Sequence, residues 1–258
     1  MTASSHPAVR LACADNFRDV AGAGHLARDG VRLRTGVLFR SNELTPTPDD
    51  AAVLAGLGLT EVFDLREGVE VEALPDPVVP GARLVHVPVG GIPMQDVATL
   101  ADVDTAVETM RRVYRAFVDH PDARSAYARL LRALAAGSGP QLFHCTAGKD
   151  RTGWAAIVLL RLCGVPEETV RADYLLTNEV DGTRRKYLEL IREHLGEDKV
   201  AVYDAVMVAD AAYVDAADAA IAARYGSFDA YVREGLGLTD AEVAALVARL
   251  RPPTASGG

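Results

Sequence analysis

Between Val9 and about Val89 the apolar residues fall in short runs rich in β-branched and aromatic side chains, "VRLAC", "VRLRTGVLF", "EVFDL" and "RLVHVPV", separated by glycine-rich or proline-rich turns. Runs of this length between turn residues predict strands. One stretch breaks the series. "TPDDAAVLAGLG" offers Thr47 as a cap, Pro48 at the first helical position, acids in the first turn and glycine at the end, which predicts a helix. "VPVGGIPMQD" has no period and reads as a loop. Two helices are predicted over about 102–119 and 121–136, the second stopped by "AAGSGP" just before "QLFHC", whose apolar run predicts a buried strand. After a polar stretch, "TGWAAIVLLRLCG" is apolar on most sides and predicts a helix buried against the sheet.

From Pro166 onward the pattern is almost wholly helical, through "PEETVRADYLLTNE", "GTRRKYLELIREHLG", a long alanine-rich segment to about Tyr225, "SFDAYVREGLG" and "TDAEVAALVARL". The last is opened by a capping box from Thr239 to Glu242. The alternation of strands and helices predicts an α/β fold, a central mostly parallel sheet with helices on both faces and a helical C-terminal half. One domain over 1–251 is expected, with a disordered tail at 252–258, "PPTASGG".

Composition narrows the functions. With 49% hydrophobic and 24% charged residues, a chain of 258 has material for a full core. The net charge of -9 argues against a nucleic-acid binder, which needs excess lysine and arginine for backbone phosphates. The same bulk charge repels small anions, so any anion site must be built locally from a few cations and backbone N–H groups. The N-terminus lacks the pattern of a signal peptide, and the apolar run "AAIVLL" is too short to span a bilayer, so the chain reads as soluble and cytoplasmic. Three cysteines, an odd count, argue against a disulfide framework and for reduced thiols.

Such a local site is visible in "HCTAGKDRTG", residues 144 to 153, between the buried strand and the buried helix. A loop containing Gly148 at the positive end of a helix can turn successive N–H groups, those of Thr146, Ala147, Gly148, Lys149, Asp150 and Arg151, onto one anion. The positive environment favours the thiolate of Cys145 over the thiol, and a thiolate beneath a bound phosphate is placed for in-line attack on phosphorus. Arg151 supplies a planar fork of donors for equatorial oxygens. No metal or other cofactor is called for.

"HCTAGKDRTG" resembles the H-C-x5-R-[ST] signature of the cysteine-dependent phosphatases, and "AGKDRTG" resembles the atypical bacterial branch of protein tyrosine and dual-specificity phosphatases. "NFRDVAG", "GVLFRSNEL", "DLR", "ADYLLTNE" and "YGSFDAYVREGLG" extend the likeness over nearly the whole chain. The resemblance implies a phosphatase fold acting on phosphotyrosine, and also on phosphoserine, phosphothreonine or phosphoinositides. It implies Cys145 as nucleophile, Arg151 as phosphate clamp and Thr152 as hydroxyl donor to the thiolate. Lys149 and Asp150 resemble the pair of phosphoinositide phosphatase loops, and helices within about 179–225 are expected to form a lid.

The general acid is less determined. "VPVGGIPMQD" has no acid before Asp96, so Asp150 is preferred, with Asp96 and Asp64 as alternatives. His144 reads as a loop-orienting residue, and Asp64 with Arg66 as a structural pair at a strand end near the site. A rhodanese-like sulfur carrier uses a similar loop, but the threonine after Arg151 counts against it. A non-catalytic phosphate reader would have lost Cys145 or Arg151. Partners are expected to be phosphorylated proteins or phosphoinositides, with no nucleic acid and no integral membrane segment; the oligomeric state is open.

Overall fold

In the computed structural model, residues 11–93, 96, 97, 99–180 and 182–252 are described. Five strands form one sheet in the order β1-β2-β5-β3-β4: β1 (Arg18–Asp19), β2 (Leu38–Ser41), β3 (Glu61–Asp64), β4 (Arg83–His86) and β5 (Gln141–His144). The pairs β2/β5, β5/β3 and β3/β4 are parallel, and only the short edge strand β1 is antiparallel. The register aligns Ser41, His144 and Asp64 across the C-terminal edge of the three central strands. That edge is where open parallel sheets bind their ligands.

Side-chain alternation divides the core. Leu38, Phe63 and Phe143 face a large cluster, whereas Phe39, Val62 and Leu142 face a small one. The small cluster is covered by α1 (Pro48–Gly56), through Leu54, and by Leu11, Ala14 and Phe17. The large one is built from α3 (Val103–Asp119), α4 (Pro121–Ala136), α5 (Arg151–Leu162), α6 (Glu167–Leu175), α9 (Ala211–Tyr225) and α10 (Asp240–Leu250). Helices thus cover both faces unequally. Thr47 caps α1 in a capping box, and Thr239 with Glu242 does the same for α10, as the sequence predicts.

Four details differ from the sequence reading. "VRLAC" forms no strand among its described residues, and "VRLRTGVLF" contributes only its last residues to β2. A short helix that periodicity does not announce, α2 (Gly68–Ala73), follows β3. The alanine-rich segment is two helices, α8 (Glu197–Met207) and α9, because Asp210 accepts from the Ala212 N–H and starts a new one. Within 179–225, α7 (Gly182–Leu195) buries no residue, whereas α9 buries Tyr213, Val214, Ala217 and Ile221. Residues 253–258 of the expected tail lie outside the described residues. No described helix is long and apolar enough to cross a membrane.

Candidate active site

Cys145 follows the central strand directly, and α5 begins at Arg151, so the loop spans the gap between them. Three successive carbonyls of this loop are drawn outward. Thr146 O accepts from the Glu43 N–H at 3.0 Å, Ala147 O from Asn16 Nδ2 at 2.9 Å, and Gly148 O from Arg40 at 2.8 Å. In a trans peptide the carbonyl of one residue and the N–H of the next point in opposite directions. The N–H groups of Ala147, Gly148 and Lys149 are therefore turned inward, and none has an acceptor among the described residues. Gly148 permits this course twice over, having φ +67° and lying where a Cβ would stand 2.6 Å from Ser41 O. The result is a cradle of unfilled donors above the buried Cys145.

At the Arg151 end a carboxylate is engaged. Glu70 of α2 accepts from the two terminal nitrogens of Arg151 at 2.5 and 2.8 Å, and from the Thr146 hydroxyl. Burial works to raise the Glu70 carboxyl, but the hydrogen bonds and charge of Arg151 outweigh it and hold it at about 2. Burial likewise opposes the charge on Arg151, yet the hydrogen bond to Glu70 and the neighbouring Cys145 raise its pKa further. Arg151 Nε has no partner among the described residues, and Gly91 lies against the guanidinium, where a Cβ would come within 3.4 Å of Cζ. On α7, burial and then the charges of Glu43 and Glu70 push the Tyr187 hydroxyl above its ordinary value.

The Lys149 end is held differently. The Lys149 ammonium donates to Val206 O at 2.5 Å and Val208 O at 3.1 Å, and lies 3.1 Å from Asp150 Oδ1. Tyr114 donates to the same Oδ1 at 2.9 Å, and its hydroxyl is bonded to that of Tyr174 at 2.8 Å. Two donors of the ammonium are thus in use on backbone carbonyls, with the Asp150 carboxylate paired beside it.

Behind the loop lie two buried arginines. Arg66 bonds both oxygens of Asp64 and one of Asp76, while His144 Nε2 lies 2.9 Å from the other oxygen of Asp76. Asp64, Asp76 and His144 have donor atoms close enough to one another for a metal, but the Arg66 guanidinium already bridges the two acids. Burial would raise Asp64, yet Arg66 and His144 keep it below the usual carboxylate range. Asp64 is thus held by Arg66, and His144 by Asp76. On the other side of β5, Asp173 bonds Arg40 at 3.0 Å and Arg18 at 3.3 Å. Burial and the Arg18 charge push Arg40 down to about 10 against the pull of Asp173.

Of the three candidate acids, Asp150 alone lies in the loop. Asp96 pairs with Arg112 at 2.7 Å. Thr152 is buried with its hydroxyl unbonded, so it makes no hydrogen bond to Cys145 in this state. The sequence reading misses Glu70 and Asp76. It also leaves Asn16, Arg40, Asp173, Tyr114 and Tyr174 without roles. Four of these, Asn16, Arg40, Asp173 and Tyr174, stand inside the motifs quoted above, "NFRDVAG", "GVLFRSNEL" and "ADYLLTNE". The signal for Glu70 is the spacing from Glu67, which with Glu70 forms a capping box on α2. Cys13 and Cys163 are pushed up by burial to about 11 and about 12, and lie outside this site.

Known proteins resemble the chain in sequence. The chain is 32% identical to the triple specificity protein phosphatase PtpB of Mycobacterium tuberculosis, over 88% of this chain and 93% of that one. It is 34% identical to a putative tyrosine-protein phosphatase of Cupriavidus necator, over 88% of this chain and 84% of that one. With the crystal structure of P. aeruginosa TpbA in complex with pTyr it shares 16% identity, covering 74% of this chain and 89% of that one, at a TM-score of 0.29. A family profile described as "Tyrosine phosphatase family" matches residues 9–252, nearly the whole of the chain. The protein belongs to the tyrosine phosphatase family.

Proposed function

We propose that the protein hydrolyses phosphomonoesters, with phosphotyrosine in proteins as its first substrate, through a cysteinyl-phosphate intermediate. The observation that carries this reading is the cradle: three outward-bonded carbonyls turn the N–H groups of 147–149 inward, over Cys145 and at the start of α5. A phosphate seated there meets oriented dipoles, the positive end of a helix and the Arg151 guanidinium. The Cys145 thiolate attacks phosphorus, the bond to the ester oxygen breaks, and Asp150 gives that oxygen a proton. Water then attacks phosphorus and the P–S bond breaks, with the water proton passing to Asp150. The unbonded Thr152 hydroxyl suits the second step, because a returning thiolate offers it an acceptor. The free thiols of Cys13, Cys145 and Cys163 suit a reducing, cytoplasmic setting.

The test is Cys145→Ser. Turnover of an aryl phosphate should fall by about 10⁴-fold or more while orthovanadate or phosphate still binds. Activity that survives the change, or thiosulfate cleavage without phosphatase activity, would sink the reading. For substrate class, kcat/KM is compared on phosphotyrosine peptide, phosphoserine peptide and phosphoinositide. Phosphotyrosine should lead by about tenfold, equal to about 1.4 kcal/mol of transition-state preference.

A further inference from the structure

The side chain of Lys149 has no task in the mechanism above. It lies in the anion loop beside Asp150, yet it is only 1% exposed. Its ammonium donates to Val206 O and Val208 O at 2.5 and 3.1 Å and is paired with Asp150 Oδ1 at 3.1 Å. The Tyr213 ring closes another side, with its centroid 5.7 Å from Nζ. To reach a substrate oxygen the ammonium would have to abandon two carbonyls that no other described donor serves.

Those carbonyls belong to the last turn of α8 and to the connection that leads from it to α9. The same connection is fastened at Ala209, whose N–H donates to Asn178 Oδ1 and whose O accepts from Asn178 Nδ2, both at 2.8 Å. It is fastened again at Ala205 O, which accepts from the Tyr213 hydroxyl at 2.6 Å. On the loop side, Lys149 and Tyr114 both meet Oδ1 of Asp150, and Oδ2 has no partner among the described residues. The ammonium thus joins the base of the α7–α8 hairpin to one oxygen of the acid.

We propose, given that the loop is a phosphatase catalytic site, that Lys149 is a positioning residue and not a substrate ligand. Its ammonium fastens the 206–208 segment to the loop and, with Tyr114, pins Asp150 by Oδ1, which leaves Oδ2 to carry the proton. The geometry of the acid and the seating of the helical hairpin are therefore set by one side chain.

Lys149→Met separates the two roles. It should lower kcat by about tenfold alike on an aryl phosphate and on a soluble inositol phosphate, with KM and the inhibition constant of inorganic phosphate within about twofold of wild type. Amide hydrogen exchange over 205–210 should rise by about tenfold or more. A phosphate inhibition constant raised about tenfold, or a loss confined to the inositol phosphate, with exchange unchanged, would overturn the proposal and make Lys149 a direct ligand.

Two further measurements hold if that variant fails to fold. In the wild-type protein, adding inorganic phosphate should leave exchange over 205–210 unchanged; faster exchange there would mean that Lys149 leaves its carbonyls for the anion, against the proposal. Tyr114→Phe, which removes one hydroxyl, should lower kcat by about threefold with the phosphate inhibition constant unchanged, and an unaltered kcat would contradict the pinning of Asp150. If the wild-type chain proves inactive, the functional reading fails, while the exchange comparison still decides whether Lys149 holds this segment.

Discussion

At its Thr146 and Arg151 end the anion loop is met by a carboxylate, Glu70, that is 28% exposed and carries a charge opposite to its partner. At the Lys149 and Asp150 end it is met by backbone carbonyls and by the buried hydroxyl of Tyr114, with Tyr174 behind it. An ion pair reached by water can exchange partners at small cost and is screened by salt. A buried ammonium between carbonyls cannot, because any departure leaves polar groups unsatisfied. Under the proposed mechanism the difference gives the ends separate work: the Arg151 end would trade one oxyanion for another, and the Lys149 end would keep the shape of the loop while it does.

The largest effect that tests this division is expected at Arg151. Arg151→Lys keeps the charge and loses the planar fork, and single-turnover rates should drop by about 10³-fold. A loss below about tenfold would mean that charge alone suffices at the exchanging end. Next comes Asp150→Asn at the fixed end. Alkyl phosphates, whose leaving oxygen needs a proton, should slow by about 100-fold more than an aryl phosphate with a good leaving group. Equal losses would make Asp150 a loop-shaping residue and return the acid to an open question.

The smallest expected effect is at Glu70. Glu70→Gln keeps the shape and removes the charge, and kcat/KM should change by about tenfold or less. Stability reports the pair more directly. The Glu70 carboxyl is held at about 2 instead of its ordinary 4.5, so its contribution is full above about 4.5 and is lost as pH falls towards 2. After allowance for solvent screening this is about 1–2 kcal/mol. Urea unfolding at several pH values should show the wild-type stability falling through that window and the variant falling less; identical slopes would deny that the pair forms in solution.

Legibility follows the same division. Cys145, Gly148 and Arg151 stand close together because an anion loop between a strand and a helix is local chemistry, and their spacing announces it. The partners of Lys149 stand 57 and 59 positions away, and Glu70 stands 81 positions before Arg151. Two of the Lys149 partners are carbonyls, which every residue possesses, so no residue type could have marked them. Arg40 and Asp173, 133 positions apart, lie in quoted motifs, but which bonds which is not written in either.

By itself, the sequence determined the elements with strong local signals. These are the caps at Thr47 and Thr239, the buried run of β5, the helix after Arg151, and the short loop that carries Cys145 and Arg151. Capping, periodicity and turn chemistry act over a few residues and can be read there. Only the tertiary structure decided that α2 brings Glu70 onto Arg151, that the alanine-rich segment breaks at Asp210, and that Lys149 turns to α8 and not to the cradle. Each of these depends on how groups far apart in the chain satisfy one another once water is excluded, and that satisfaction exists only in the folded state.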